Sequence, residues 1–370
     1  MTSLNRYITR DHWILLALTI VFIFLPLGLT SFQTKLALLI LYWAYLGNSW
    51  NIMGGYAGQF SFGHAMFFGI GAYTSTVLLV DYNVSPWIGM LIGAGFAAVF
   101  GVLIGYLFFQ FGLKGHFFAL GTFALAEMLR LISGEMEILN TTIGIIIPPL
   151  PREAGDSWWR MQFQDTPLNY YYIILGLFVV GMLITIWMAN SKLGYYLLAI
   201  REDEDAAAAL GVNITRYKIA SVALSGALAA VGGSFYVQES GFIEPAIAFG
   251  TAISIEILLR PIIGGTGTIW GPMAGALLLT PLAEFTREFV RTPPAFLSFI
   301  EGRAGIDVMF FGLLIIIVVI FMPDGIVGSG VKLWKRLRSG GKEKPAHKPT
   351  DETIGSRTQA VREEAKTGGD

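Results

Sequence analysis

The chain has 370 residues, of which 14% are charged and 54% hydrophobic, with a formal net charge of −1 and a mean hydropathy of +0.61. Soluble domains carry roughly 25% charged residues, so this composition excludes an ordinary soluble fold and predicts a membrane protein. The absence of cysteine excludes disulfide bonds, thiol catalysis and cysteine-ligated metals.

Apolar stretches of about 20 residues recur along most of the chain, as expected for helices that cross a bilayer. We therefore predict an all-α polytopic membrane protein with about ten transmembrane helices. The predicted spans are 13–30, 36–53, 65–80, 86–109, 116–133, 170–188, 219–237, 248–263, 269–289 and 306–322. The first span lacks a small-residue cleavage site and is interpreted as a retained helix.

Basic residues predict the orientation, because cytoplasmic loops of membrane proteins are enriched in lysine and arginine. With ten spans, both termini and the basic connections fall on one side, which we predict to be cytoplasmic. These residues are Arg6, Arg10, Lys114, Lys192, Arg201, Arg216, Lys218, Lys332, Lys335, Arg336 and Arg338. The acidic loop of about 134–169 is predicted to be periplasmic.

Three regions follow from this pattern. Residues 1–12 are predicted to form a cytoplasmic N-terminus and residues 13–331 the transmembrane domain, which includes a polar cytoplasmic segment of about 192–218. Residues 332–370 contain almost no large apolar side chains and are predicted to form a disordered cytoplasmic tail.

A charged, alanine-rich stretch, REDEDAAAALG at 201–211, separates two predicted spans. The acidic triplet 203–205 precedes the alanine run 206–209, where carboxylates stabilise the positive end of a helix, and Gly211 is a residue that commonly ends helices. The pattern predicts a short, charged surface helix within this stretch. Such a helix has little apolar face to bury in its own protein, so we expect it to dock into a partner.

Two glycine-rich turns resemble one another. The sequence IMGG at 52–55 precedes YAGQFSFGHA, and IIGG at 262–265 precedes TGTIWGPMAG. Both are predicted on the cytoplasmic side, each before an outgoing helix, as in a parallel structural repeat.

The first turn, 55–65, carries Gln59, Ser61 and His64 between two spans. Non-helical backbone at membrane depth is tolerated only where it is buried in protein or lines a wet cavity. The turn therefore either lines a translocation path or is a tight connection without substrate contact. Because no metal-ligating partner is spaced around His64, a hydrogen-bonded histidine at a helix start is favoured, and no metal site is predicted.

Two charged pairs, Glu127 with Arg130 and Glu256 with Arg260, stand at helical separations inside apolar spans. Ionisable groups in a membrane are costly and are functional candidates for that reason. The favoured interpretation is an ion pair within each helix, with the arginines reaching from the span ends towards the headgroups.

No motif for an enzyme is present: neither HExxH, GxSxG, a dinucleotide fingerprint nor a GxxxxGK[ST] phosphate loop. We therefore predict no catalytic residue and no cofactor in this chain. If the protein consumes ATP, another chain must bind it.

Three motifs in the same order resemble the M-type membrane subunit of branched-chain amino-acid ABC importers. They are GYAGQFSFGHAMFFGIGAYT (Gly55–Thr74), AIREDEDAAAALGVNITRYK (Ala199–Lys218) and IIGGTGTIWGPMAGA (Ile262–Ala276). The resemblance implies a type II permease fold of the vitamin-B12-importer kind in a bacterial or archaeal inner membrane. It also implies a second, similar permease subunit, two cytoplasmic ATPases that bind Mg-ATP, and a periplasmic or extracellular solute-binding protein.

The resemblance assigns roles to residues of this chain. The 202–211 segment corresponds to the coupling helix, with Asp205, Ala206, Ala207 and Gly211 on the family's E-A-A-x-x-x-G pattern. The residues expected to contact the ATPase are Arg201, Glu202, Asp203, Glu204, Asp205, Ala206, Ala207 and Gly211. Those expected to border the translocation path are Gly58, Gln59, Ser61, Gly63, His64, Gly264, Gly265 and Trp270.

Two departures from the family pattern leave alternatives open. The external stretch 139–149 has fewer glycines than usual, and Tyr195 and Tyr196 stand where arginine is common. An importer of leucine, isoleucine and valine or related hydrophobic amino acids is favoured. The alternatives are a urea or short-amide importer and, from another class, a stand-alone secondary transporter or channel in which Glu127 or Glu256 titrates.

Overall fold

The computed structural model describes residues 2–139, 143–151, 153, 155–164 and 167–291, with isolated positions at 305, 309, 312, 313 and 316. The predicted tail, 332–370, and most of the tenth predicted span, 306–322, lie outside the described residues. The part of the chain that is described is helical apart from a two-stranded β-ladder and one isolated bridge, in agreement with the all-α prediction.

Twelve α-helices occur in the described ranges. They are α1 (Thr2–Phe24), α2 (Ser31–Asn51), α3 (Ala65–Val80), α4 (Pro86–Gln110), α5 (His116–Glu135), α6 (Leu168–Ala189), α7 (Lys192–Glu202), α8 (Glu204–Ala209), α9 (Ile214–Ser240), α10 (Pro245–Ala248), α11 (Thr251–Gly264) and α12 (Gly271–Arg291). Each of the first nine predicted spans overlaps one of these helices. The total of ten spans is not confirmed.

Six stretches of the described chain are long and apolar enough to cross a bilayer. They are Arg10–Gly28, Pro86–Gln110, His116–Glu135, Leu168–Ala189, Ile214–Ser240 and Pro245–Gly264. A multi-pass membrane protein is therefore the class of protein that this fold defines.

Helix α2 lies at the centre of the bundle, in contact with α6, α9, α11 and α12. A capping box starts it, since Thr30 accepts a hydrogen bond from the backbone of Gln33 while the Gln33 side chain accepts one from Thr30. Several of its polar groups bond to neighbouring helices; the Asn48 amide nitrogen, for example, donates to the Thr185 hydroxyl of α6 at 2.9 Å. Helix α2 can carry these polar side chains because protein, and not lipid, surrounds it.

Helices α3 and α9 approach each other closely through small residues. A Cβ atom on Gly71 would overlap the backbone of Ala230, and one on Gly233 would overlap the Phe68 carbonyl. Small residues allow this approach, which supplies van der Waals contact where no hydrophobic driving force acts between helices in lipid.

The end of the bundle that holds the loop after α5 is tied together by a short antiparallel ladder. Strand β1 (Ile145–Ile146) pairs with β2 (Phe242–Ile243), with Ile145 opposite Ile243. Helix α9 ends before β2 at Gly241, whose φ of +71° is a left-handed value that glycine adopts without strain. We call this end of the molecule the ladder end.

Candidate coupling and translocation site

The charged stretch after α6 forms two helices instead of one. Glu202 is the last residue of α7, and Asp203 leaves the helical path with φ −157° and ψ 111°. Its carboxylate accepts hydrogen bonds from the backbone of Asp205 and Ala206, both at 2.9 Å. The predicted start of the surface helix at Glu202 is therefore wrong, because the Asp203 side chain caps a new helix at Glu204.

The end of α8 matches the prediction. Gly211 has a φ of +83°, a left-handed conformation that ends the helix. Asp205, Ala206 and the remaining alanines are exposed, whereas Ala207 is buried. The expectation that the segment has little apolar face to bury agrees with this exposure, since Ala207 is the one buried alanine of α8.

Glu204 connects α8 to the body of the bundle. Its carboxylate pairs with Lys218 of α9 and lies 2.9 Å from Lys114 in the α4–α5 connection. The Lys218 side chain is 2% exposed, and its ammonium lies 5.2 Å from the centre of the Phe109 ring. Because a buried ammonium is costly without a counter-charge, Glu204 is the residue that makes this arrangement stable.

The ion pairs of Glu204 make the stability of the protein depend on pH. Burial raises the pKa of this carboxyl, but hydrogen bonds from Lys218 and Lys114 outweigh burial, so that the pKa lies below its ordinary value of 4.5. A lowered folded-state pKa stabilises the protein above the unfolded-state pKa, and this contribution is lost as pH falls through the folded-state value.

We expect Glu204→Gln to lower the free energy of unfolding by about 2 kcal/mol at neutral pH, the loss of a charge-assisted hydrogen bond to a buried group. The thermal midpoints of wild type and variant, measured in detergent, should differ by a constant amount between pH 7 and about pH 5 and converge below about pH 4.5. Glu135→Gln, an exposed carboxylate at the end of α5, is the control and should have little effect. A difference that persists unchanged to pH 3 would contradict the role of Glu204.

Arg201 links this segment to both glycine-rich turns. Its guanidinium donates to the Gly55 carbonyl at 2.7 Å and to the Glu202 carboxylate at 3.2 Å. Cβ atoms added to Gly58 or Gly267 would both meet the Arg201 side chain. Arg201 is predicted to contact the ATPase, and no sequence pattern indicated that its side chain also lies against both glycine-rich turns.

Asn51, which sequence reasoning missed, joins the two turns directly. It is the last residue of α2, and its amide donates to the Thr268 carbonyl at 2.9 Å while accepting from the Gly267 backbone at 2.8 Å. The α-helix gives way to a π-helical turn, Ile52–Tyr56, immediately afterwards. The available signal was a polar residue at the end of an apolar span, three residues before the glycine pair 54–55.

The first turn is held within the protein by hydrogen bonds. The Trp50 indole donates to the Ser61 carbonyl at 2.9 Å, and the Gln59 side chain donates to the Ala57 carbonyl at 3.1 Å. A Cβ on Gly63 would overlap the Thr122 backbone. Within this chain, these contacts are those of a tightly packed connection; its place beside a translocation path stays a prediction.

His64 stands at the start of α3, fully buried, with its ring Nε2 3.2 Å from the Ser49 hydroxyl. The interpretation as a hydrogen-bonded histidine at a helix start is confirmed. The next residue, Ala65, donates its backbone N–H to the Ser254 hydroxyl at 2.9 Å, which connects α3 to α11.

The second turn follows α11. Gly264 ends that helix so close to α12 that a Cβ would overlap the Gly271 backbone, and Gly265 has a φ of +126°. The Trp270 indole donates to the Asp11 carboxylate of α1 at 3.0 Å. The predicted path residues thus lie in two turns that Asn51 and Arg201 hold together.

Both charged pairs are ion pairs within their helices, as predicted. Arg130 reaches Glu127 at 2.6 Å on a partly exposed surface, and Arg260 pairs with Glu256. The prediction that Arg260 reaches the headgroups is wrong, because its side chain is 2% exposed and its guanidinium lies 4.2 Å from the centre of the Trp43 ring. The helices around α2 enclose it, so it cannot extend to the membrane surface.

Comparison with known proteins agrees with a membrane subunit of a transport system. The family model for the "Branched-chain amino acid transport system / permease component" matches residues 33–319. The chain belongs to this family. The prediction of an ABC-importer permease subunit that resembles the M-type subunit is thereby confirmed.

Individual relatives cover most of the chain. The high-affinity branched-chain amino acid transport system permease protein LivM of Escherichia coli K12 is 26% identical over 345 residues, 88% of this chain and 77% of that protein. LivH of the same strain is 24% identical over 296 residues, 77% and 91% of the two chains.

A third relative, the autoinducer 2 import system permease protein LsrC of Yersinia pseudotuberculosis, is 28% identical over 234 residues, 60% of this chain and 64% of that protein. No solved structure matches the chain.

Proposed function

We propose that the chain forms one half of the transmembrane pathway of an ATP-driven importer for leucine, isoleucine, valine or related hydrophobic amino acids. The observation that carries the proposal is the hydrogen bond from Arg201, in the charged surface segment, to Gly55 of the first glycine-rich turn, which Asn51 joins to the second turn. The family and the names of the relatives LivM and LivH support the substrate class.

The complete importer would contain a second permease subunit of the LivH kind, two ATPases and a solute-binding protein. The ATPases would bind Mg-ATP, and this chain would carry no cofactor. We propose a bacterial or archaeal inner membrane, about ten spans, a type II permease fold and cytoplasmic termini. The Arg201 end of the bundle would then be cytoplasmic, and the ladder end periplasmic.

In this mechanism an ATPase contacts α8 and the residues around it. Motion of α8 is transmitted to α9 and to the α4–α5 connection through Glu204, and motion of α7 is transmitted to the two turns through Arg201. Rigid-body rocking of the helices would open the pathway alternately to each side. Aliphatic side chains would need an apolar lining, and the zwitterionic end a few dipoles.

Reconstitution into vesicles tests the proposal. We expect L-leucine to accumulate only when both permeases, both ATPases, the binding protein and ATP are present. Each omission should reduce uptake to the background of empty vesicles. Accumulation of leucine by this chain alone would establish a stand-alone transporter, and a complete importer that takes up urea but no leucine would contradict the substrate class.

A further inference from the structure

A cavity of about 390 Å³ opens at the ladder end, between the end of α9 and the residues that follow β1. Its volume lies within the range of small-molecule sites, roughly 300–1,000 Å³. One part of the wall is apolar and includes Ile147, Leu150 and Phe163; the other part carries the side chains of Gln162 and Gln238. The cavity lies apart from the glycine-rich turns and has no part in the coupling path described above.

Gln238 lines this cavity with an amide whose two polar atoms have no hydrogen-bond partner in the protein. The residue is 3% exposed and belongs to the last turn of α9. Either orientation of the amide presents one donor group and one acceptor atom. A buried amide without partners lowers stability, so its retention at a cavity wall points to a ligand.

Gln162 presents a second unsatisfied acceptor at the same wall. Its amide nitrogen donates to the Pro148 carbonyl at 3.1 Å, which leaves its oxygen buried and without a partner. Among the described residues of the wall, Glu239 is the only one with a charged side chain, and it is paired with Lys35. The described part of the wall therefore offers dipoles of both signs, and its one charge is paired.

We infer that this cavity is a transit site for one zwitterionic amino acid with an aliphatic side chain, an inference that rests on the proposed function. The ligand's carboxylate would accept from the Gln238 amide nitrogen, and its ammonium would donate to the oxygens of Gln238 and Gln162. Its aliphatic side chain would pack on Ile147, Leu150 and Phe163. A small molecule with only the zwitterionic group or only the aliphatic group would leave either the apolar wall or the amides without contact.

Cysteine protection tests binding independently of transport. Because the chain contains no cysteine, Ser240→Cys places a single thiol on the cavity wall of the full-length protein in lipid nanodiscs. Millimolar L-leucine should slow its reaction with a small methanethiosulfonate reagent at least 3-fold. Glycine, which lacks the aliphatic part, and isovalerate, which lacks the ammonium, should each protect the thiol less than L-leucine does at the same concentration.

The control is Ser31→Cys, an exposed position at the start of α2 and outside the cavity wall, where leucine should not change the labelling rate. Unchanged labelling of Ser240→Cys in leucine would overturn the inference. Equal protection by all three solutes would overturn it too, because a water-filled vestibule without selectivity would behave in that way.

Gln238→Met tests the amide itself, since methionine preserves the side-chain length but removes the donor and the acceptor. In the complete importer, leucine uptake at saturating binding protein should fall about 10-fold, as expected for lost hydrogen bonds to a charged ligand. The thermal midpoint should not fall, because the amide has no partner in the protein to lose. Gln110→Met, at an exposed site at the end of α4, should transport as wild type.

The outcomes separate the two proposals. If wild-type importer takes up leucine and Gln238→Met does so at the same rate, the transit site is wrong while the proposed function stands. If the wild-type importer takes up no leucine, the proposed function fails whatever the variant does.

Discussion

Leu210→Asp should abolish association with the ATPases, and with it amino-acid uptake, while the chain still inserts and folds. Leu210 follows α8 directly and is 86% exposed, although α8 itself is short and polar. If α8 docks into a motor subunit, this side chain becomes buried there. An aspartate would then be an uncompensated charge in an interface, which costs on the order of 3 kcal/mol, about 100-fold in affinity.

Copurification of the ATPases with tagged permease measures this effect, and uptake in vesicles measures its consequence. Ile143→Asp is the matched control, because Ile143 is 79% exposed and precedes β1 at the ladder end. That variant should retain the ATPases. If the Leu210→Asp permease copurifies with its ATPases at the wild-type yield, the end of α8 does not lie in the interface with the ATPases.

Deletion of the whole 202–211 segment would be a poorer experiment. It would remove Glu204 and leave the Lys218 ammonium, on a side chain that is 2% exposed, without its counter-charge. Loss of uptake after such a deletion would therefore not distinguish a lost docking surface from a destabilised bundle. Leu210 is exposed, so its replacement leaves that ion pair intact.

The same substitution in the two intramembrane ion pairs should give very different results. Glu256→Gln should lower the free energy of unfolding by on the order of 3 kcal/mol, because it leaves the enclosed Arg260 guanidinium without its counter-charge. Glu127→Gln should have little effect, since Arg130 is 33% exposed and lies close enough to the end of α5 for its guanidinium to reach the headgroups. Thermal unfolding of both variants in detergent measures the difference.

The double variant Glu256→Gln with Arg260→Met provides the internal control for that comparison. It removes both charges together and should recover most of the stability lost by Glu256→Gln alone, because no unpaired charge remains. Equal stability of the two single variants would show that the surroundings of Arg260 are more polar than its burial indicates. Wild-type stability of Glu256→Gln with loss of proton-dependent uptake would favour the stand-alone transporter, in which Glu256 titrates.

Patterns formed by residues close together along the chain predicted the helices and the charged pairs of this protein well. Apolar runs located the helices, since a bilayer requires about 20 apolar residues whatever surrounds them. Helical spacing alone predicted the pairs Glu127–Arg130 and Glu256–Arg260, and Gly211 was the correct end of α8. The predicted start at Glu202 differs from the observed start of α8 at Glu204, because the Asp203 side chain caps the helix and does not belong to it.

The sequence by itself determined that this is an all-α membrane protein of the branched-chain permease family with a charged surface segment, because composition, periodicity and motifs are local properties of the chain. Only the tertiary structure decided that Arg201 bonds to the first glycine-rich turn and Asn51 to the second, each contact joining residues more than 140 positions apart along the chain. It also decided that Arg260 is enclosed and that Gln238 faces a cavity. These features depend on which helices pack together, and the pattern within a single helix does not encode its neighbours.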